Sequence, residues 1–512
     1  MRVYSNLAAA LALTAVATAA PQQFDLVDVT DRMGLDFSYG SGGRMGFAIG
    51  DFDGDTWQDI AIFGAGLDDS TILFRNQGAL IRQGQNVPWF VNATDQFMPA
   101  NDMPTSLGAF ADLDNDGDQD ILVVRRGVHP ATGEPLYDTG ALAYFENKIT
   151  DGLGFVPGSS ATRVGAQPST ITTIALSDCD ADSDLDVFLS YSPVGGDVTT
   201  SRCFMIRNDG LPNFVDISDS FGAPLATIRR ALTGVFADFD GDMLPDLHCA
   251  VDFFSDFQCK NMGGGLFQDV TVAANVTHTG SDMGLAVGDI DNDLDLDIYS
   301  TNINEGVLYV NNGSGVFQNE ALARGCRSYN GSTTTIGWGT NFVDLDNDGD
   351  LDLTMIPAGP GGGHVWMNDG LGYFTKVTAA TGIDPRGYSI IDFDFDKDGD
   401  QDLLGMGNGI LTRPRFWANT SSGANHWLVV ELTGTISNRD AIGAQVIVRT
   451  PDGKSQMRAM MAGHSYRTGT PKTLHFGLGD QATVSEIEIR WPNGQVDKRG
   501  PFTADRYVHA VE

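Results

Sequence analysis

Residues 112 to 124 read DLDNDGDQDILVV. Five aspartates fall on alternate positions, and a run of aliphatic and β-branched residues follows at once. Carboxylates at this spacing repel one another unless something positive sits among them. The stretch therefore asks for a bound cation beside a buried strand. The same nine-residue pattern returns six times: DFDGDTWQD from 51, DCDADSDLD from 178, DFDGDMLPD from 238, DIDNDLDLD from 289, DLDNDGDLD from 344 and DFDKDGDQD from 394. Every copy has Asp at positions 1, 3, 5 and 9 and runs into an apolar segment such as DIAIF or DLTMI. A lone match would mean little, but seven copies starting 50 to 66 residues apart define a repeat.

The ligand set is all oxygen, which suits a hard cation taking six to eight oxygens in a flexible geometry; calcium is the usual one. Nitrogen and sulfur ligands are missing from the pattern, which argues against zinc or copper. An EF-hand needs an acidic residue at position 12; here that place holds Ile62, Val123, Leu189, Cys249, Ser300, Met355 and Gly405. The expected ligands are the side chains at positions 1, 3, 5 and 9 and the main-chain carbonyl at position 7. In the first loop they are Asp51, Asp53, Asp55, Trp57 (by its carbonyl) and Asp59. The second supplies Asp112, Asp114, Asp116, Asp118 and Asp120, and the third Asp178, Asp180, Asp182, Asp184 and Asp186. The fourth supplies Asp238, Asp240, Asp242, Leu244 (carbonyl) and Asp246, and the fifth Asp289, Asp291, Asp293, Asp295 and Asp297. Asp344, Asp346, Asp348, Asp350 and Asp352 form the sixth set, and Asp394, Asp396, Asp398, Asp400 and Asp402 the seventh. Up to seven calcium ions are thus expected. Gly stands at position 6 only at 117, 349 and 399; Thr56, Ser183, Met243 and Leu294 replace it elsewhere, and the Met243 loop is expected to hold metal most weakly.

Two further features repeat with the loops. One is an Asn at 76, 147, 208, 261, 311, 368 and 419, often before Gly, which marks another hairpin in each unit. The other is a short strand like FQDVT, found six times after the loops and once ahead of them, in FDLVDVTDRMGL from Phe24. One unit is therefore split between the two ends of the array. Four short strands per unit, seven units and one split unit predict an all-β fold: a seven-bladed β-propeller over 24–419, closed by its N-terminal strand. The units resemble the FG-GAP (VCBS) calcium-binding repeats of the integrin α-subunit propeller.

Beyond Asn419 the aspartate pattern stops. NHWLVVELTG, GAQVIVRT and SEIEIRW alternate apolar and polar residues, as in a small β-sandwich or barrel. NRDAIGAQV, LHFGLGD and IEIRWPNGQ are similar to the ASPIC/UnbV domain, here 424–512. With the repeats ahead of it, the whole chain resembles the cartilage acidic protein family, which implies an extracellular setting.

Lys and Arg number 31 against 67 Asp and Glu, a formal charge of −36. Of those acids, 33 are the loop aspartates, so the charge is largely ligand supply. So acidic a chain is unsuited to nucleic acid, whose phosphates need a basic footprint. Residues 1–19 read as a signal peptide, with Arg2, an apolar run and small residues at Ala17 and Ala19. No later stretch is apolar for long enough to span a membrane as a helix. The protein is expected to be secreted, into the extracellular space or a periplasm, and to bind or adhere to an extracellular protein or glycan. Export permits disulfides, and Cys249 and Cys259, equidistant from the turn at FFSD, are expected to pair. No H-E-x-x-H, G-x-S-x-G or P-loop occurs, yet a lyase, hydrolase or cyclase site in a propeller pocket is the alternative. Partners are expected on the face opposite the calcium loops. Arg125, Arg126, Arg229 and Arg230, with Tyr137 and Tyr329, would there hold an anionic partner such as an acidic polysaccharide.

Overall fold

The computed structural model describes residues 24–37, 45–65, 70–78, 88–98, 104–128, 135–158, 162–163, 169–193, 202–219, 230–328, 335–358, 363–377, 383, 387–407, 414–421 and 423–512. The signal-peptide expectation for 1–19 lies outside them. Each apolar run after a position-9 aspartate is a strand, because β-branched and aromatic side chains fit a pleated surface buried on both faces. Strand Asp59–Ala65, for instance, is buried along its whole length. It pairs antiparallel with Gly46–Gly50 on one side and Ser70–Asn76 on the other, and Phe90–Asn92 completes a four-strand ladder. The same ladder recurs behind each loop, so the chain is all-β. Only two single-turn helices, Thr30–Met33 and Thr94–Phe97, stand among the described residues.

The last ladder is built from both ends of the repeat array. Gly387–Phe393, Asp402–Gly407 and Arg415–Asn419 supply three strands, and Leu26–Asp28 supplies the fourth. Its register sets Leu26 opposite Asn419, Val27 opposite Ala418 and Asp28 opposite Trp417. This is the split unit read from the sequence, and Arg415 fastens it by a 2.7 Å ion pair to Asp28.

Consecutive ladders share apolar cores. Phe52, Phe63, Phe110, Phe145 and Phe155 form one such core between the first and second. The first and the last ladder also pack together, through Phe47, Ile60 and Phe74 against Ile391, Phe393 and Phe416. Phe395 adds an edge-on contact to Phe416 with centroids 4.9 Å apart.

The repeated asparagines link ladder to ladder. Each is buried at the end of the third strand of its unit. Its Nδ2 donates to the carbonyl at position 2 of the preceding loop: Asn147 to Phe52, Asn208 to Leu113, Asn261 to Cys179, Asn311 to Phe239, Asn368 to Ile290 and Asn419 to Leu345. Asn76 donates in the same way to Phe395 of the seventh loop, at 2.9 Å, so the series returns on itself.

The C-terminal residues form two small sheets and a two-strand ribbon, Thr483–Val484 with Phe502–Thr503. His426–Thr433 lies between Thr473–Gly479, antiparallel, and Arg506–Val511, parallel. Ser455–Ala459, Gln445–Arg449, Glu486–Arg490 and Val496–Arg499 make the other sheet. Between them runs a segment, 460–470, that leaves this domain and touches the innermost strands of all seven ladders. Leu176 N–H donates to Ala462 O, Ser465 N–H to Leu285 O and Thr340 N–H to the Ser465 hydroxyl, which itself donates to Ile390 O. The Arg467 guanidinium donates to the carbonyls of Ser106 at 2.6 Å, Ile171 at 2.7 Å and Met45 at 3.3 Å. Tyr466 packs on Leu232, and Thr468–Gly469 pairs parallel with Phe47 and Ala48.

One expectation fails here. All five cysteines are buried, and none is joined in a disulfide. The hairpin register sets Cys249 opposite Phe257 and Leu247 opposite Cys259. The paired residues centre the hairpin on Phe253, one residue short of the midpoint between the two cysteines, which puts the two thiols two residues out of alignment.

Candidate metal centres

The nine-residue loops fold back on themselves through two backbone hydrogen bonds to the position-1 carboxylate. In the first loop Asp55 N–H reaches Asp51 Oδ1 at 3.1 Å and Thr56 N–H reaches Oδ2 at 2.7 Å. The fold-back needs left-handed backbone at positions 4 and 6 of every copy, including Met243 at φ +66° and Leu294 at φ +71°. Such angles cost a residue with a Cβ, so strain is held in the loops that lack Gly. The position-9 aspartate is a strut: Asp59 accepts from Phe52 N–H at 3.2 Å and from Asn76 N–H at 2.7 Å. The asparagine role was legible only as a turn signal, because a side chain that ties one unit to its neighbour leaves no local pattern.

These loops bring the expected carboxylates together. Ligand atoms of Asp51, Asp53 and Asp59 lie within 4.8 Å of one another, as do those of Asp112, Asp114 and Asp120, of Asp178, Asp180 and Asp182, and of Asp238, Asp240 and Asp242. One oxygen of the position-3 carboxylate, Oδ1 of Asp53, Asp180, Asp240, Asp291 and Asp346, is buried with no hydrogen-bond partner among the described residues. Such an atom is costly unless a cation takes it. Burial, and then the neighbouring carboxylates, push Asp51 up to about 6 and Asp346 up to about 7. For Asp112 burial and the Asp440 carboxylate raise the value to about 7. Asp120, Asp186 and Asp246 rise to about 8, chiefly by burial. The donor set therefore fits a hard divalent cation.

The chain itself supplies part of the positive charge. Arg75 pairs with Asp53 at 2.5 Å and Asp55 at 2.9 Å, Lys148 with Asp116 at 3.4 Å, and Arg324 with Asp291 at 3.1 Å. Lys260 binds both Asp240 and Asp242. Among the described residues no such pair reaches the loops from 178, 344 and 394. Where Asn stands at position 4 it bonds the position-7 aspartate of the next loop: Asn115 to Asp184 at 3.0 Å, Asn292 to Asp350 at 2.9 Å and Asn347 to Asp400 at 2.7 Å.

The C-terminal domain lies over these loops. Gln445 Nε2 donates to Asp238 Oδ2 at 3.2 Å, Gly477 N–H to Asp344 Oδ2 at 3.1 Å and the Tyr507 hydroxyl to Asp394 Oδ2 at 2.8 Å. Asp440 accepts from Asp112 N–H at 3.1 Å, and the Ser183 hydroxyl donates to Ile436 O at 2.6 Å. His475 Nε2 meets Gly399 O at 3.0 Å, and burial holds its pKa down at about 3, in keeping with a structural role. No sequence signal pointed to this cover.

Of the residues expected to hold an anionic partner, Arg230 pairs with Asp252 at 2.9 Å and lies 5.7 Å from the Phe253 ring centroid. Arg125 is part of strand Asp120–Val128, opposite Thr105 and Ala141. Arg229 and Tyr329, and the side chains of Arg126 and Tyr137, lie outside the described residues. Among the described residues no helix is long and apolar enough to cross a membrane.

Residues 344–405 match the family model of the FG-GAP-like repeat, and residues 434–512 match that of ASPIC and UnbV. The chain joins an FG-GAP-like repeat to an ASPIC and UnbV domain. It is similar to cartilage acidic protein 1 of Xenopus tropicalis, 25% identical over 268 residues. That match covers 50% of this chain and 40% of the relative, so it spans less than half of the curated protein. Among solved structures it is similar to an Agrocybe aegerita lectin that recognises non-reducing terminal N-acetylglucosamine (19% identity, TM-score 0.42, 73% of this chain and 89% of that one). It is also similar to the exotype rhamnogalacturonan lyase YesX (12% identity, TM-score 0.35, 94% and 91%).

Proposed function

We propose that this chain is a secreted, calcium-stabilised, seven-bladed β-propeller acting as an extracellular binding or adhesion module. The observation that carries the architecture is the circuit of seven asparagine bonds, in which Asn76 returns to Phe395 of the seventh loop. The calcium reading is supported by the buried, partnerless position-3 oxygens. The ions would be held by the aspartates at positions 1, 3, 5 and 9 with the position-7 carbonyl, and would neutralise like charges that otherwise repel across one face. That face is covered by residues 426–512, so a partner is left the opposite face, where the blade-to-blade connections emerge. A partner of protein or glycan nature follows, with an anionic one suited to the arginines at 125, 126, 229 and 230.

The test is a glycan and matrix-protein binding screen with the full chain, in calcium and after its removal. Capture that survives reversal of Arg125, Arg126, Arg229 and Arg230 to Glu would move the site elsewhere. Capture lost with an unchanged melting temperature would support it. Turnover of a polysaccharide in the same screen would favour the enzyme alternative.

A further inference from the structure

The position-1 aspartates of three loops face two ways. In Asp238, Asp344 and Asp394 the Oδ2 atom accepts one bond from the loop's own position-6 N–H, at 2.9, 3.0 and 2.9 Å. The same Oδ2 accepts a second bond from the C-terminal domain, through Gln445, Gly477 and Tyr507. Among the described residues Oδ1 of Asp344 has no partner, while Oδ1 of Asp238 accepts from Gly241 and Asp242 N–H and Oδ1 of Asp394 from Asp398 N–H. In the loops from 51, 112, 178 and 289, among the described residues, only the loop N–H reaches Oδ2.

A second observation converges on the same contact. At all three copies with Gly at position 6 the C-terminal domain lands at that position, as it does on the hydroxyl of Ser183 in the loop from 178. A Cβ on Gly399 would stand 1.9 Å from the Trp427 indole, one on Gly349 2.7 Å from Gln456 Nε2, and one on Gly117 3.4 Å from Arg439. The copies with Thr56, Met243 and Leu294 adopt the same left-handed backbone without glycine. Close approach of the second domain therefore accounts for glycine at 349 and 399 better than turn geometry alone. In return, a Cβ on Gly477 would stand 2.1 Å from Asp344 Oδ2, so the domain's own backbone is pared down to reach the carboxylate.

We propose that calcium occupancy of the loops from 238, 344 and 394 is thermodynamically linked to docking of the C-terminal domain, so that metal in these loops keeps segment 460–470 seated within the ring. The inference rests on the calcium reading above. The physical reason is orientation. The loop's own N–H bonds limit the rotation of the carboxylate, and a further bond from Gln445, Gly477 or Tyr507 to Oδ2 tightens it with Oδ1 toward the loop interior, where an ion would sit. Metal on Oδ1 fixes the same plane and so presents Oδ2 to the domain. Each partner removes a rotation the other would otherwise have to stop, which makes the coupling positive. It is reciprocal by necessity: whatever factor docking contributes to metal affinity, metal contributes to docking. Segment 460–470 is the sensitive readout, because Ser465 and Arg467 hold left-handed backbone, at φ +60° and +59°, against the inner strands.

The experiment is hydrogen exchange with peptide resolution on the full chain, with calcium affinity measured alongside by calorimetry. On stepwise chelation, amides of 460–470 should exchange at least tenfold faster before strands such as Asp352–Pro357 respond. In saturating calcium the double variant Tyr507→Phe, Gln445→Ala should speed exchange of 460–470 by about tenfold, since each lost bond is worth several-fold. It should weaken calcium binding by the same factor. Stoichiometric calcium binding with exchange of 460–470 indifferent to chelation overturns the linkage and leaves the calcium reading standing. A double variant that loosens the segment while calcium affinity is unchanged also overturns it. If chelation releases every strand at once, the reciprocity of the double variant decides. A chain that binds no calcium at all overturns the calcium reading itself, and this inference with it.

Discussion

Replacing Asn76 by Ala tests the circuit at the bond that closes it. The side chain is fully buried and makes three hydrogen bonds: Nδ2 to Phe395 O at 2.9 Å and Gln58 O at 3.2 Å, and Oδ1 from Gly78 N–H at 3.0 Å. Alanine keeps the backbone bond to Asp59 but strands two carbonyls and one N–H away from water. A buried group left without its partner costs about 1–3 kcal/mol, so three give a loss of about 4 kcal/mol after partial relaxation. Unfolding entropy near 2.1 cal/mol/K per residue turns that into a fall of about 4 °C for a chain of this length. The assay is thermal unfolding of the full chain in saturating calcium, with Asn312→Ala as control. Asn312 is exposed and bonds only Asn311 and Ser314 nearby, so its loss should cost less than about 1 kcal/mol. If Asn76→Ala melts with the control, the bond to Phe395 does not hold the first and last ladders together, and the ring argument fails.

Chelation should lower the melting temperature, and more so at higher pH. Burial lifts Asp112 to about 7 and Asp120, Asp186 and Asp246 to about 8, all above the 3.8 of a free carboxyl. The metal-free fold then binds more protons than the unfolded chain between about pH 4 and 8, so its stability is greatest at the acid end of that window and falls as pH rises. Melting of the chelated protein that rises from pH 5.5 to 8 would contradict this. In a low-calcium crystal the loop from 238 should empty first, because Met243 is strained and Lys260 already occupies Asp240 and Asp242; a full site there beside an empty loop from 344 would refute the ranking. Deleting residues 20–34 removes strand Leu26–Asp28 and opens the edge of Arg415–Asn419. The truncated chain should aggregate or melt far lower, and an equally stable, soluble one would count against closure.

The loops, their clustered carboxylates and the split ladder were legible because each is a local pattern at a fixed period. DLDNDGDQD states its own chemistry, and FDLVDVT matches its six counterparts closely enough to be placed in the unit it completes. What stayed hidden depends on residues far apart in the chain. Gln445, Gly477 and Tyr507 carry no motif that says they will meet Asp238, Asp344 and Asp394. Arg467 gives no sign in the sequence that three backbone carbonyls await it. The cysteine pairing failed for a related reason: it assumed a turn centred midway between 249 and 259, and the hairpin centres one residue earlier, on Phe253, while the end of its first strand pairs with distant Thr279–Ser281. Glycine at position 6 was read as relief of turn strain, whereas the indole of Trp427 standing on Gly399 gives it a second cause.

The placement of Leu26–Asp28 beside Arg415–Asn419, with 460–470 among the inner strands, also sets an order of assembly. Six ladders can form one after another as the chain emerges, each from strands near in sequence. The seventh must wait for partners nearly 400 residues apart, since Leu26 meets Asn419, and contacts so distant in sequence form slowly. The segment that ends up at the middle of the molecule is made later still. Until it arrives, Arg467 is not there to take the carbonyls of Met45, Ser106 and Ile171, and the inner edges of the early ladders stay open. A nascent chain of this design is therefore most exposed to wrong pairing just before its last hundred residues appear.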